Sequence, residues 1–323
     1  MANSGVLLIA GASGFIGSAF RESVLPRYAQ VRCLTRSDNE ARDGLRDKSR
    51  DGSHSGQREV FQWDPARRII DDQAIAGADA VVCLNGAPIN RMWTKKYRKT
   101  LWESRIGSVR TLVDAISRTP QDLRPRVLLS GSAVGYYGYD ADQPVSEDTP
   151  AGKGFLAQLC RAWEHEANRA EQYGVRVVNI RTGLVMHPSG GLMKAMLPLF
   201  RSGLGGRIGD GSAWMPIISR RDYVNALHHC IEHEEISGRV NFTAPHPARN
   251  AQWTQDFAEF VHRPAVFVAP KSVLQLVLGN MAKETILASQ QVVPDVLLKS
   301  GFVFEAATST EIFSSFRSKH SEA

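Results

Sequence analysis

Short apolar runs alternate with longer amphipathic stretches through the first half of the chain. The runs at 5–10, 31–35, 59–63, 80–85, 127–130 and 175–181 have the length and flanking turn residues of buried strands. The stretches 14–24, 95–118 and 156–173 between them read as helices. Strands alternating with helices predict an α/β fold with a doubly wound parallel sheet of the Rossmann type, covered on both faces. Beyond residue 182 the rhythm changes. Residues 187–219 are rich in Gly, Pro and Met, and helical stretches return at 223–234, 254–262 and 271–278. The pattern therefore places a Rossmann domain at 1–182 and a smaller α/β C-terminal substrate lobe at 183–316. One segment, 37–58, is dominated by Asp, Arg, Ser and Gly, too polar to bury itself, and reads as a solvated surface loop.

The first strand runs straight into GASGFIG. This places Gly11, Gly14 and Gly17 between a buried strand and a helix, with Ser13, Phe15 and Ile16 filling the turn. In that context the first glycine makes the tight turn, the second admits a pyrophosphate, and the third packs helix on strand. The helix N-terminus then presents N–H groups and a positive dipole end to the phosphates. The expected ligand is a dinucleotide. NAD-selecting sites place an acid at the end of the second strand, to bind the ribose hydroxyls. Here the strand ends Leu34-Thr35-Arg36-Ser37, with Asp38 one step late. A guanidinium binds a 2′-phosphate that a carboxylate would repel, so Arg36 points to NADP(H).

Composition narrows the picture further. Of 323 residues, 43% are hydrophobic and 22% charged, as in ordinary globular proteins. The net charge of +6 comes from scattered basic residues without aromatic interleaving, which argues against nucleic acid and for a small anionic or polar substrate. No apolar run is long enough to span a bilayer and no signal-peptide pattern leads the chain, so no membrane partner and a cytoplasmic location are expected, as monomer or homodimer. The four cysteines are far apart and no HExxH-like signature accompanies His228, His229, Cys230 and His233, so neither disulfides nor a metal site is expected.

The motifs GASGFIG, LNGAPI, RMWT, ESR, SGSAVGYYG, RTGLV, GLGGRIGDG and NFTAPHPARN, with SQQVVPDVLLKSGFVF near the end, cover most of the chain. Together they resemble an epimerase-like branch of the extended short-chain dehydrogenase/reductases, whose members end in a short additional domain. The resemblance implies that Asp64 faces the adenine and that Asn85, Gly86 and Ala87 run under the ribose and nicotinamide. It also implies that Arg181 and Thr182 border the nicotinamide pocket.

The same resemblance implies a catalytic Ser with a Tyr-x-x-x-Lys pair, and here the chain departs from it. Ser132 stands where the serine belongs, but Leu156 and Cys160 occupy the expected Tyr and Lys positions. Arg105 replaces the usual Asn of the long fourth helix, and Ser219 replaces the His of a WIHxxD stretch ending at Asp222. Tyr136 and Tyr137, four and five residues past Ser132, are the candidate replacement acid/bases, with Arg105 as the positive neighbour either would need. Core packing at a strand end is the alternative for both. Trp214 and Met215 read either as pocket lining or as core. Two functions follow: an NADP(H)-dependent oxidoreductase or epimerase with an atypical site, or a non-catalytic NADP(H) sensor.

Overall fold

A computed structural model describes residues 3–36 and 57–317. Most of the polar insertion lies outside the described residues, but Gln57 and Arg58 already belong to a strand. An eight-stranded sheet organises the chain. In order across it the strands are Gly238–Phe242, Arg176–Thr182, Val127–Ala133, Ala80–Cys83, Asn3–Ala10, Tyr28–Thr35, Gln57–Asp64 and the short Ile69–Ile70. Asn3–Ala10 pairs parallel with Tyr28–Thr35 on one side and with Ala80–Cys83 on the other. Gln57–Asp64 and Val127–Ala133 extend the parallel ladder outwards, and Ile69–Ile70 closes the edge antiparallel. This is the doubly wound Rossmann-like arrangement. The central strands are apolar throughout because both faces are covered: Leu7, Leu8, Ile9, Val81 and Val82 are all fully buried.

The chain gathers into two compact units, neither of them one continuous stretch, whereas the change in composition puts a boundary near 182. The first comprises 1–131, 162–179 and 230–238; the second comprises 132–161, 180–229 and 239–323.

Within the first unit the helix expected at 95–118 is interrupted. Lys95–Trp102 and Ser108–Arg118 are α-helical, and Glu103–Gly107 between them is a π-turn. Such one-turn bulges re-aim side chains within a continuous helix. The second unit has its own core, an aromatic pile of Phe200, Trp253, Phe257 and Phe313 with Met186, Met193 and Ile217. Phe200 stacks on Phe257 at 4.3 Å between ring centroids and Phe257 on Phe313 at 5.4 Å. Met215 packs against this pile, so of its two readings core prevails. No helix among the described residues is long and apolar enough to cross a membrane.

Candidate functional site

Parallel register brings four strand ends of the first unit to one edge of the sheet. Ala10 lies against Leu34 and Cys83, and Thr35 against Gln62. The residues just beyond these strands are therefore neighbours: Gly11, Arg36, Asp64 and Asn85. Ligands of open α/β sheets bind at this carboxyl edge.

The glycine turn is built from backbone alone. Gly11 has φ +93°, and a Cβ there would stand 2.9 Å from the Asn85 amide nitrogen. The Gly14 N–H donates to the Gly11 carbonyl at 3.0 Å. A Cβ on Gly17 would fall 2.0 Å from the same carbonyl oxygen, so only glycine lets the helix start this close to the strand. Helix Phe15–Val24 has Gly14 as its cap residue, no capping side chain and no acid in its first turn. That leaves its positive end without a competing anion of its own. Ser13 and Gly14 are exposed, and Phe15 and Ile16 half-buried. Arg36 is exposed directly after its strand.

Asp64, half-buried at the end of its strand, also has local work. Its Oδ1 accepts from the N–H groups of Ala66 and Arg67, and its Oδ2 lies 3.7 Å from the Arg67 guanidinium. Asn85 turns its side chain inwards, donating to Ser104 O and Ser108 Oγ and accepting from the Cys83 thiol. Ala87 N–H donates to Ser104 Oγ at 3.0 Å. Arg105 donates to the carbonyls of Ala87 and Leu101 and lies 5.4 Å over the Trp163 ring; a Cβ on Gly86 would meet its guanidinium at 3.2 Å. Ser104 and Arg105 sit in the π-turn, which is thus the element that shapes the 85–87 loop. Sequence spacing gave no sign of it.

The tyrosine turn lies in the second unit. Ser132 is buried near the end of Val127–Ala133, and a 3₁₀ turn, Val134–Tyr137, follows. Tyr137 is 5% exposed; its hydroxyl donates to Asn241 Oδ1 at 2.7 Å and accepts from Arg181 Nη1 at 2.9 Å. Burial pushes this phenol up to about 12, against the pull of Arg181 and Asn241. Its hydroxyl is engaged in a buried network, which favours the packing reading for Tyr137. Tyr136 is half-buried, and the Arg181 guanidinium carbon lies 3.4 Å from its ring centroid. The cation against both tyrosines is therefore Arg181, where the sequence had suggested Arg105. Arg181 itself is fully buried and donates also to the Glu147 carbonyl. Thr182 shares a 2.9 Å hydrogen bond with the Tyr223 hydroxyl.

Leu156 is the second residue of helix Phe155–Asn168 and packs its side chain onto Gly135, 3.0 Å from where a Cβ would be. Cys160, one turn on, is 2% exposed. An apolar contact thus occupies the place of the missing phenol. Ser219 precedes helix Arg220–Glu232, donating to Asp222 Oδ2 at 2.7 Å and accepting from the Asp222 N–H at 2.9 Å. It acts as a helix cap. The Asp222 carboxylate also accepts from the N–H groups of Glu305 and Ala306. Burial pushes Asp222 up, while those bonds hold it down in part.

The remaining candidates separate. Trp214 is half-buried with the Arg249 guanidinium 4.1 Å over its ring. His229 bonds Ser300 and His233 bonds Glu235, and among the described residues no three His, Cys, Asp or Glu side chains gather as a metal set. Sequence reasoning had not singled out Glu147, Asn241 or Gln290. Asn241 opens the quoted NFTAPHPARN and Gln290 is the second residue of the quoted SQQVVPDVLLKSGFVF, but nothing in either motif tells which residue a distant turn needs.

The pattern of the NAD dependent epimerase/dehydratase family matches residues 7–242, and a domain of unknown function, DUF1731, matches 269–313. An epimerase family protein of Mycobacterium bovis is 38% identical over 309 residues, covering 95% of this chain and 96% of the relative. A chloroplastic homologue from Arabidopsis thaliana, named for epimerase family protein SDR39U1, is 33% identical over 92% of this chain and 82% of its own. The crystal structure of human epimerase family protein SDR39U1 with NADPH superposes with a TM-score of 0.79 at 29% identity, covering 96% of this chain and 98% of that one.

Proposed function

The chain belongs to the NAD dependent epimerase/dehydratase family, and from that membership we propose that it binds NADP(H) and acts as an oxidoreductase or epimerase on a small polar or anionic substrate. The observation that carries the cofactor choice is the edge of the first unit. An open helix N-terminus follows the glycine turn, and a basic residue, Arg36, stands where an NAD site has its acid. The human relative, whose structure is described with NADPH, supports the same choice. The contacts are assigned to Gly11, Ser13, Gly14, Phe15, Ile16 and Gly17 for the pyrophosphate and Arg36 for the 2′-phosphate. Asp64 is assigned to the adenine side, and Asn85, Gly86 and Ala87, shaped by Arg105, to the ribose and nicotinamide. Ser132 and Tyr136 are the hydroxyls offered for proton transfer. Tyr137, Arg181 and Thr182 support them from within.

The test is a titration with NADPH and NADH of the wild-type chain and of Arg36→Asp. The expected result is tighter NADPH binding by the wild type, weakened by about 10- to 100-fold in the variant, as for loss of a charge-assisted pair worth about 1.5–3 kcal/mol. Equal binding of the two nucleotides by the wild type removes Arg36 from the site.

A second reading, a non-catalytic NADP(H) sensor, draws on the apolar Leu156 and Cys160 at the positions of the missing pair. Tight NADPH binding without turnover across a panel of carbonyl compounds and sugar nucleotides would favour it. Substrate-dependent loss of NADPH absorbance that vanishes in both Ser132→Ala and Tyr136→Phe would rule it out.

A further inference from the structure

The segment matched by the domain of unknown function, 269–313, makes buried polar contacts with the tyrosine turn of its own unit. Gln290 is 5% exposed, in strand Ser289–Val292. Its Nε2 donates to the carbonyl of Val134, which opens the turn, at 2.9 Å, and to the carbonyl of Gly138, which ends it. One amide group thus grips both ends of a five-residue stretch that carries Tyr136 and Tyr137.

Four further contacts of the same segment converge there. Strand Ser289–Val292 runs parallel to Asp140–Val145, directly after the turn, with Gln290 opposite Ala141 and Val292 opposite Val145. Val292 is fully buried against Val134, Tyr137 and Val145, with Tyr136 packed on the same cluster. Asn241 joins the two sides: its Oδ1 accepts from the Tyr137 hydroxyl, and its Nδ2 donates to Val293 O at 2.8 Å. Finally, Glu284 Oε2 accepts from the Leu156 N–H at 2.8 Å, at the start of the helix whose Leu156 covers Gly135.

We propose that the C-terminal domain is a clamp that sets the position of Tyr136, and that Gln290 is the positioning residue within it. The proposal rests on Tyr136 being the acting phenol. The physical case is one of order. A four-residue 3₁₀ turn has few internal hydrogen bonds to hold its shape, and the carbonyls at its ends are buried and need donors. Gln290 supplies a donor to each from one side chain, and an apolar residue there would remove both bonds at once. A reactive group must be held to a fraction of an ångström, and supporting side chains of this kind provide that. The domain therefore has a task in this family that its own surface does not announce: it completes the turn.

The test uses the full chain and needs no substrate. The seven tyrosines are labelled as 3-fluorotyrosine, and the Tyr136 resonance is assigned by its absence in Tyr136→Phe. Gln290→Met keeps length and removes the donor. Leu297→Ala, a fully buried apolar truncation elsewhere in the same segment, serves as the control for lost packing. In Gln290→Met the Tyr136 line is expected to shift or broaden at least twofold. Amide exchange across 134–139 is expected to quicken at least tenfold, while Leu297→Ala with a similar loss of Tm leaves both near wild type. A wild-type line and exchange in Gln290→Met, or equal changes in Leu297→Ala, would overturn the proposal. NADPH titration of the same samples keeps the two readings apart. Failure of the wild type to bind NADPH counts against the cofactor assignment, while the fluorine readout stands without any ligand.

Discussion

The glycine turn of the first unit and the tyrosine turn of the second both follow a buried strand of the sheet, and they are built in opposite ways. Residues 11–17 hold one another: Gly14 bonds Gly11, and Gly17 rests on the Gly11 carbonyl. The stretch 134–138 is held from outside by Arg181, Asn241 and Gln290, the last of them 156 residues from the carbonyl it binds. The first turn offers backbone N–H groups and needs only the absence of side chains. The second offers hydroxyls and needs side chains from three separate parts of the chain. A site of the first kind tolerates drift elsewhere in the sequence. A site of the second kind depends on residues far apart in the chain, and a change in any one of them is felt at the turn.

The sharpest way to break that comparison is at Gly17. Gly17→Val forces a side chain into the Gly11 carbonyl, and the strain is expected to cost about 1–3 kcal/mol in stability. Nucleotide binding should be lost with it, measured by denaturation and by NADPH titration. Near-wild-type binding would mean that the turn is not a close-packed backbone site.

The two tyrosines sharpen the other half. Tyr137→Phe removes a hydroxyl that both donates to Asn241 and accepts from Arg181, leaving buried partners unpaired. The expected loss is about 1–3 kcal/mol, read as a lower midpoint in urea. Tyr136→Phe should change stability by less than about 0.5 kcal/mol, in the range of substitutions away from buried networks. Its effect belongs to turnover, once a substrate is known. Equal losses in the two variants would erase the distinction between a structural and an acting phenol.

The smallest effect is a pH dependence. Burial pushes the Glu147 carboxyl up, while bonds from the N–H groups of Asn241 and Val296 hold it down in part. A raised value means that the folded chain binds this proton more tightly than the unfolded one. The stabilisation is therefore complete below the ordinary glutamate pKa of about 4.3 and is lost as pH rises through the higher folded value. Glu147→Gln abolishes this titration and keeps an acceptor for the two N–H groups. Between pH 4 and 7 the Tm of the wild type should fall relative to that of the variant. A difference that stays flat, or runs the other way, would show that Glu147 is not held protonated by its surroundings.

Much of the first unit is legible in the chain because its determinants are local. The buried runs, the helices between them and the glycine spacing are each written within a window of 7 to 24 residues. The strands come out longer than their apolar cores: Tyr28–Thr35 begins three residues before 31, and Val127–Ala133 ends three after 130. Ladder hydrogen bonds continue past the last apolar residue. The π-turn at Glu103–Gly107 is not legible, because its residues differ from those of an ordinary helix only in what they face. The second unit is harder to read. Arg181 was visible as part of RTGLV, yet its pairing with Tyr136 and Tyr137 was not, since a buried guanidinium finds its partners across strands and not along them.

By itself, then, the sequence determined the wound sheet, the glycine turn, the basic residue at the second strand's end and the absence of a Tyr-x-x-x-Lys pair. Those are properties of residue type at fixed short spacing, and short-range sterics and hydrophobic burial act within that range. Only the tertiary structure decided that both tyrosines stand against Arg181 and that Tyr137 is the one locked through its hydroxyl. It also decided that Ser219 caps a helix and that the C-terminal segment grips the 134–138 turn. Each of these depends on which buried donors and acceptors meet once the chain is closed. That outcome is set by the requirement that every buried polar group find a partner, and by no local pattern.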